Sequence, residues 1–155
     1  MGKLPYIIFA VIVIAGIYFL FLAPLQTCQS APAKEINIGG HSGIALHIHP
    51  VLSIRLESEG KKIVIPTNVG VGSNIMRPIH THDDTGTLHV ESPCNREFKL
   101  GEFFGVWGQT FNRTCIFQYC NNGSNNVHLI VNGKESNEFE NLILRDNDQI
   151  EIVYK

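Results

Sequence analysis

The sequence predicts an α+β chain: one N-terminal transmembrane helix, then a mainly antiparallel β domain that carries a short helix. Three patterns predict it. Leu4 to Ala23 is an unbroken apolar run without a charged side chain. Leu46 to Leu56 alternates apolar and polar residues with period two, as a half-buried strand does. Leu100, Phe103, Phe104 and Trp107 recur at i, i+3, i+4 and i+7, the spacing of one helix face.

At a helical rise of ~1.5 Å per residue, the first run reaches ~30 Å, the thickness of a bilayer core. Lys3 is the only charged residue before it and Lys34 is the first after it. That bias favours an N-terminus inside and residues 24–155 outside. The expected organisation is an anchor over 1–25, a linker over 26–42 and an extracytoplasmic domain over 43–155, held at the cell membrane by a single pass. Ala31-Pro32-Ala33 also reads as a cleavage site, and Leu25-Gln26-Thr27-Cys28 loosely matches a lipoprotein box. Four cysteines, Cys28, Cys94, Cys115 and Cys120, suit an oxidising compartment. Cys115 and Cys120 can close a small loop and Cys94 can pair with either; spacing does not choose between them. Two N-glycosylation sequons, at Asn112 and Asn122, fall in the same polar stretch. The formal net charge is −2 and no basic stripe is present, so nucleic acid has no electrostatic footprint here.

Within the domain, Leu46, Ile48, Leu52, Ile54 and Leu56 take one face of the first strand, and His47, His49, Val51, Ser53 and Arg55 the other. Pro50 lacks an N–H and marks an edge or a bulge beside the histidines. Glu59-Gly60 turns the chain, and Lys62 to Pro66 is the return strand. Asn68 to Asn74 is a glycine-rich loop; without a following Lys-Ser or Lys-Thr step it is no phosphate cradle. Met76 to Ser92 reads as a hairpin turned near Thr85-Gly86. A loop from Asp83 to Gly86 puts His80 opposite His89; a loop of only Thr85-Gly86 puts His82 there. Either register places His80, His82, His89 and Glu91 on one face. Gly105 and Gly108 keep the helix short. Val127 to Val131, the Asn132-Gly133 turn and Gln149 to Lys155 supply the last strands.

The order strand, helix, Val-Asn-Gly-Lys hairpin and Asp-Gln-Ile-Glu-Ile-Val strand is similar to a β-grasp (ubiquitin-like) half, without the terminal Gly-Gly of sulfur carriers. The segments HIHPVLSI, IPTNVGV, MRPIHTHDDTGTLHVESP, FKLGEFFGVWG, LIVNGK and DQIEIVYK together resemble a family of prokaryotic membrane-anchored exported domains with no established activity. Many of its members are encoded by ammonia-oxidising archaea, which rely on copper. The resemblance spans about residues 46–155, and the His-Thr-His-Asp block is its most specific part. Lys99 stands where a better helix N-cap such as Thr is usual in the family, and the Asn112–Asn126 insert is peculiar to this chain.

Five of seven histidines carry the chemistry: His47 and His49 in one His-x-His pair, His80 and His82 in a second, and His89. Each pair puts both rings on one side of a strand. Neutral imidazole suits copper or zinc, and cysteines engaged in disulfides leave the ligand list. The expected metal ligands are therefore His47, His49, His80, His82 and His89, with Asp83 near, and copper ahead of zinc. His41 and His128 lie outside the motifs and read as surface or packing residues. Three functions follow. The first is a membrane-anchored copper module for metal delivery or metallation. The second is a non-catalytic accessory subunit of a membrane complex such as a copper-dependent monooxygenase or oxidase. The third is a metalloenzyme with Glu91 or Asp83 as base, although no His-Glu-x-x-His helix and no nucleophile motif supports a catalytic residue. Whether the first strand lies beside the hairpin decides whether one site exists at all.

Overall fold

The structure is a computed structural model describing residues 4–22 and 28–155. The expected transmembrane helix is not found. Helix α1 covers Leu4–Ile17, 14 residues, or about 21 Å at a rise of ~1.5 Å per residue. At Tyr18 the hydrogen bonding widens into a π-helix that runs to Leu22. Residues 23–27, which hold the end of the apolar run and most of the lipoprotein-like box, lie outside the described residues. No helix among the described residues is long and apolar enough to cross a membrane. The physical reason is that apolarity fixes hydropathy, not helix length. Here the α-helical hydrogen bonding ends at Ile17, before the apolar run does.

The second correction concerns the sheets. The β structure is divided among several sheets rather than one, and among the described residues every strand pairing except one is antiparallel. Strands β1 (Leu46–Ile48), β6 (Ile79–His80) and β7 (His89–Ser92) form one sheet in the order β1-β7-β6. Strands β2 (Val51–Leu56), β3 (Lys61–Ile63), β10 (Val127–Val131), β11 (Lys134–Ser136) and β12 (Gln149–Tyr154) form a second, in the order β11-β10-β12-β2-β3. Its central pair, β12 with β2, is parallel. The large sheet thus draws on both halves of the domain and is not confined to the C-terminal one. Two small hairpins complete the β structure: β4 (Val71–Gly72) with β5 (Ile75–Met76), and β8 (Cys115–Ile116) with β9 (Tyr119–Cys120).

The alternating run from Leu46 is therefore two strands, not one. Pro50 lies between β1 and β2, and the chain passes there from the small sheet to the large one. The period-two pattern survives because the bend keeps parity: Leu52, Ile54 and Leu56 are all buried. Asn132 and Gly133 both take positive φ, 52° and 78°, as a two-residue hairpin turn requires.

Helix α2 (Leu100–Trp107) forms as its spacing predicts and buries Leu100, Phe103 and Phe104. Lys99 provides no side-chain cap, but Glu102 accepts the Lys99 N–H at 3.1 Å and so satisfies one end group. Leu52, Ile54, Leu129, Ile150 and Ile152 from the sheet meet these residues in a single core. The stretch read as linker is packed against the domain: Ala33 and Ile36 are buried, and the Arg77 guanidinium donates to the Ile36 carbonyl at 3.0 Å.

All four cysteines are paired, Cys28 with Cys94 and Cys115 with Cys120. The short loop is the one that spacing allows. Cys28, read from the sequence as the cysteine of a lipoprotein-like box, has its sulfur engaged with Cys94 instead. Its disulfide fixes the N-terminal segment to the end of β7, beside the buried Ser92 hydroxyl, which lies 3.3 Å from Cys28 Sγ.

Candidate metal centre

The two histidine faces meet. β1 and β6 flank β7 on opposite edges, both antiparallel to it. His80 stands opposite His89, the register that a loop from Asp83 to Gly86 imposes. His47 stands opposite Glu91. The bridge between Val51 and Thr87 carries the same register past Pro50, so His49 falls across from His89. Directly opposed residues share a face. One row across the sheet therefore reads His49, His89, His80, and the next holds His47 beside Glu91.

The ring contacts follow from that registry. Ring centroids are 4.5 Å apart for His47 and His49, 4.8 Å for His49 and His89, 4.7 Å for His82 and His89, and 4.7 Å for His80 and His82. Two triads place one ligand nitrogen from each member within 4.8 Å of the others: His47, His49 and His89, and His80, His82 and His89. His89 belongs to both.

His80 is the most constrained of the candidate ligands. It is fully buried, and its Nδ1–H donates to the Arg77 carbonyl at 2.9 Å. That bond fixes the tautomer and aims the Nε2 lone pair at His82, whose Nε2 lies 3.1 Å away. Two nitrogens bound tetrahedrally to one ion at ~2.0 Å are about 3.3 Å apart. The pair is thus already spaced for a shared ion; without one, His82 Nε2–H donates to His80 Nε2. Burial pushes the His80 pKa from 6.5 down to about 4, even though the Arg77 bond and the Glu91 charge raise it. His89 is lowered too, first by burial and then by the neighbouring His82 and His49 charges. Both rings are consequently neutral and free to ligate near neutral pH.

The supporting shell is built from the same segments. Thr81 points away from its flanking histidines, is buried, donates its hydroxyl to the Pro66 carbonyl at 2.8 Å and accepts the Val69 N–H at 3.0 Å. The glycine-rich loop is thus the anchor for the His-Thr-His segment. Gly86, at φ +90°, lies so close to the Leu52 carbonyl that a Cβ would collide with it. The Gly86 carbonyl accepts the Leu52 N–H at 2.8 Å, which pins the hairpin loop to β2. Asp83 is not a ligand in either triad. Its Oδ1 accepts the Thr85 hydroxyl at 2.6 Å and the Thr85 N–H at 2.9 Å, bonds that shape the loop and lower its pKa.

Glu91 is only 1% exposed; one carboxylate oxygen accepts from His41 Nδ1 at 2.7 Å, and the other lies 3.1 Å from His47 Nε2. His41, expected to be a surface or packing residue, therefore joins the cluster, with its ring 5.8 Å from His82 and 6.2 Å from His80. It sits on a loop between Gly39, Gly40 and Gly43, all at positive φ, so no strand parity could have found it. The glycines around it were the available signal. His128 stands apart, paired with Glu135 at 3.0 Å across β10 and β11. His49 is also tied down: its backbone N–H donates to Asp146 Oδ1 at 2.8 Å.

Six imidazoles on one surface, with all cysteines removed as disulfides, make a nitrogen-rich donor set. Such a set suits copper or zinc and not an iron–sulfur cluster. No family profile, no curated protein and no solved structure matches this chain.

Proposed function

We propose that this protein is a histidine-based metal-binding module that takes up copper, with zinc as the competing ion, in an oxidising compartment outside the cytoplasm, and serves metal delivery. The observation that carries the reading is the His80–His82 pair: nitrogens 3.1 Å apart, one ring locked by the Arg77 carbonyl and held neutral by burial. Burial and a backbone partner are common to any core histidine; the feature particular to a metal site is the second imidazole nitrogen 3.1 Å away, close to the spacing of two ligands on one ion. Copper(II) heads the affinity order for nitrogen sites, which ranks it above zinc. The apolar core cluster contains none of the histidines, and the exposed rims of His47 and His82 leave a bound ion accessible to a recipient. Two disulfides support the compartment, because such bonds persist where thiols are not kept reduced.

The test is copper loading of the full chain, followed by removal of excess metal, metal analysis and electron paramagnetic resonance. The expected result is bound copper with nitrogen superhyperfine structure. Substituting His82→Ala should weaken binding by about tenfold or more, as loss of a ligand does. A correctly folded chain that retains neither copper nor zinc refutes the function.

A further inference from the structure

The two triads differ in the depth of one member, His80. The His47 and His49 side chains are 53% and 40% exposed. His80 is fully buried, its partner His82 is exposed, and His41, itself 57% exposed, stands on the side of Glu91 with its ring 6.2 Å from that of His80. His89, between them in the sheet row, contributes to both sets. Resting on the metal-binding reading above, we propose that these are two positions for one ion: an outer port at His47, His49 and His89, and an inner seat at His80, His82 and His89, with His41 beside it.

The chemistry of the shared ring argues for one ion at a time. An imidazole nitrogen has one lone pair, so a single nitrogen cannot bind two ions. Serving both triads at once would require His89 to bridge through both nitrogens, and a bridging ring must give up its last N–H proton. It would also hold two dications on either side of one ring, where they repel. Transfer avoids both costs. The ion keeps its bond to His89, exchanges His47 and His49 for His80 and His82, and changes neither charge nor oxidation state.

The surroundings are arranged for that direction. The outer rings face solvent, and the Asp146 carboxylate lies 4.0 Å from His49 Nδ1 and attracts an incoming cation. Glu91 supports one ring at each position, His47 at the outer and His41 at the inner. A carboxylate hydrogen-bonded to the distal nitrogen orients a ligand and raises its basicity. The inner seat is the better prepared position, because His80 is buried, locked by the Arg77 carbonyl and already 3.1 Å from His82. His41, held by Glu91 through Nδ1, stands beside this seat with its ring 5.8 Å from that of His82. The ion should therefore arrive outside and rest inside.

The experiment is stopped-flow loading of the full chain with copper(II), combined with equilibrium stoichiometry and paramagnetic resonance of the end state. Wild-type protein should bind one equivalent in two phases, the first proportional to copper concentration and the second saturating. Substituting both His47→Ala and His49→Ala should remove the fast phase and slow loading by about tenfold, with an end-point spectrum that is still that of the inner seat. Substituting His82→Ala should keep the fast phase, abolish the second and change the spectrum. These residues are partly or largely exposed, and circular dichroism verifies that each variant keeps its fold. Two tightly bound equivalents, single-phase loading of wild type, or loading of the double variant at the wild-type rate would each overturn the two-position scheme while leaving copper binding intact. A wild-type chain that binds no copper would refute the function itself.

Discussion

His80 combines full burial, a backbone acceptor on Nδ1 and a second imidazole on Nε2. Each feature bears on how the metal-free protein responds to acid. The folded ring holds its proton only below about pH 4, whereas the ordinary value is 6.5. Between those values the unfolded chain binds a proton that the folded chain does not. Stability present above pH 6.5 is therefore lost as pH falls toward 4, by up to about 3 kcal/mol from this residue. His89, lowered for similar reasons, acts in the same direction. Urea denaturation of the metal-free chain at pH 7 and pH 4.5 should show the loss. Substituting His80→Asn keeps a donor for the Arg77 carbonyl and removes the titrating ring, so it should flatten the dependence. Parallel losses in wild type and variant would assign the effect to other groups. At this scale the sequence was informative wherever strand parity applied: His47, His49, His80, His82 and His89 all point where alternation puts them. His41 was illegible because a glycine loop has no parity, and its hydrogen bond to the cluster is made to Glu91, 50 positions away in sequence.

Elements position these residues through a few backbone contacts between segments far apart in sequence. The hairpin between β6 and β7 was readable from its Asp-Thr-Gly turn, and its register allowed two values. The structure selects the longer loop because Asp83 and Thr85 close it internally and Gly86 docks on Leu52. That docking is also what places His49 in line with His89. Helix α2 and the Asn132-Gly133 hairpin follow local rules and form as those rules require. The break at Pro50 was not legible, because parity is identical for one bent strand and one straight strand. The parallel pairing of β2 with β12 was equally hidden, since nothing local links residues nearly a hundred positions apart. Gly86 tests this level directly. Gly86→Ala forces an L side chain into positive φ and drives its Cβ into the Leu52 carbonyl. Destabilisation by about 3 kcal/mol is expected, in the range for strained backbone plus a collision. Copper affinity should fall with it, because the loop that sets the His49–His89 line is displaced. A stability within 0.5 kcal/mol of wild type, a typical surface effect of about that size, would show that the loop relaxes freely.

The whole molecule is closed by two disulfides of very different span, and their difference measures how the N-terminal segment is held. Cys28 and Cys94 are 66 positions apart, whereas Cys115 and Cys120 are separated by 5. Closing a chain loop removes entropy from the unfolded state roughly as the logarithm of its length. By that relation the long bridge contributes about 4 kcal/mol and the short one about 2 kcal/mol. The long bridge also has a structural consequence that the short one lacks. It ties the segment holding Ala33, Ile36 and the His41 loop to the end of the strand that carries His89 and Glu91. The short bridge only staples the β8–β9 hairpin, remote in sequence from every histidine of the cluster. Replacing Cys28 and Cys94 by serine should therefore lower unfolding free energy about twice as much as replacing Cys115 and Cys120. It should also weaken copper binding, because His41 is no longer held against Glu91, whereas the second pair of substitutions should leave affinity as it was. Urea denaturation and chelator competition on both double variants read the two effects separately. Equal stability losses would show that the unfolded chain already holds the N-terminal segment close. A loss of affinity in the Cys115 and Cys120 variant would show that the hairpin insert, and not the N-terminal tether, supports the site.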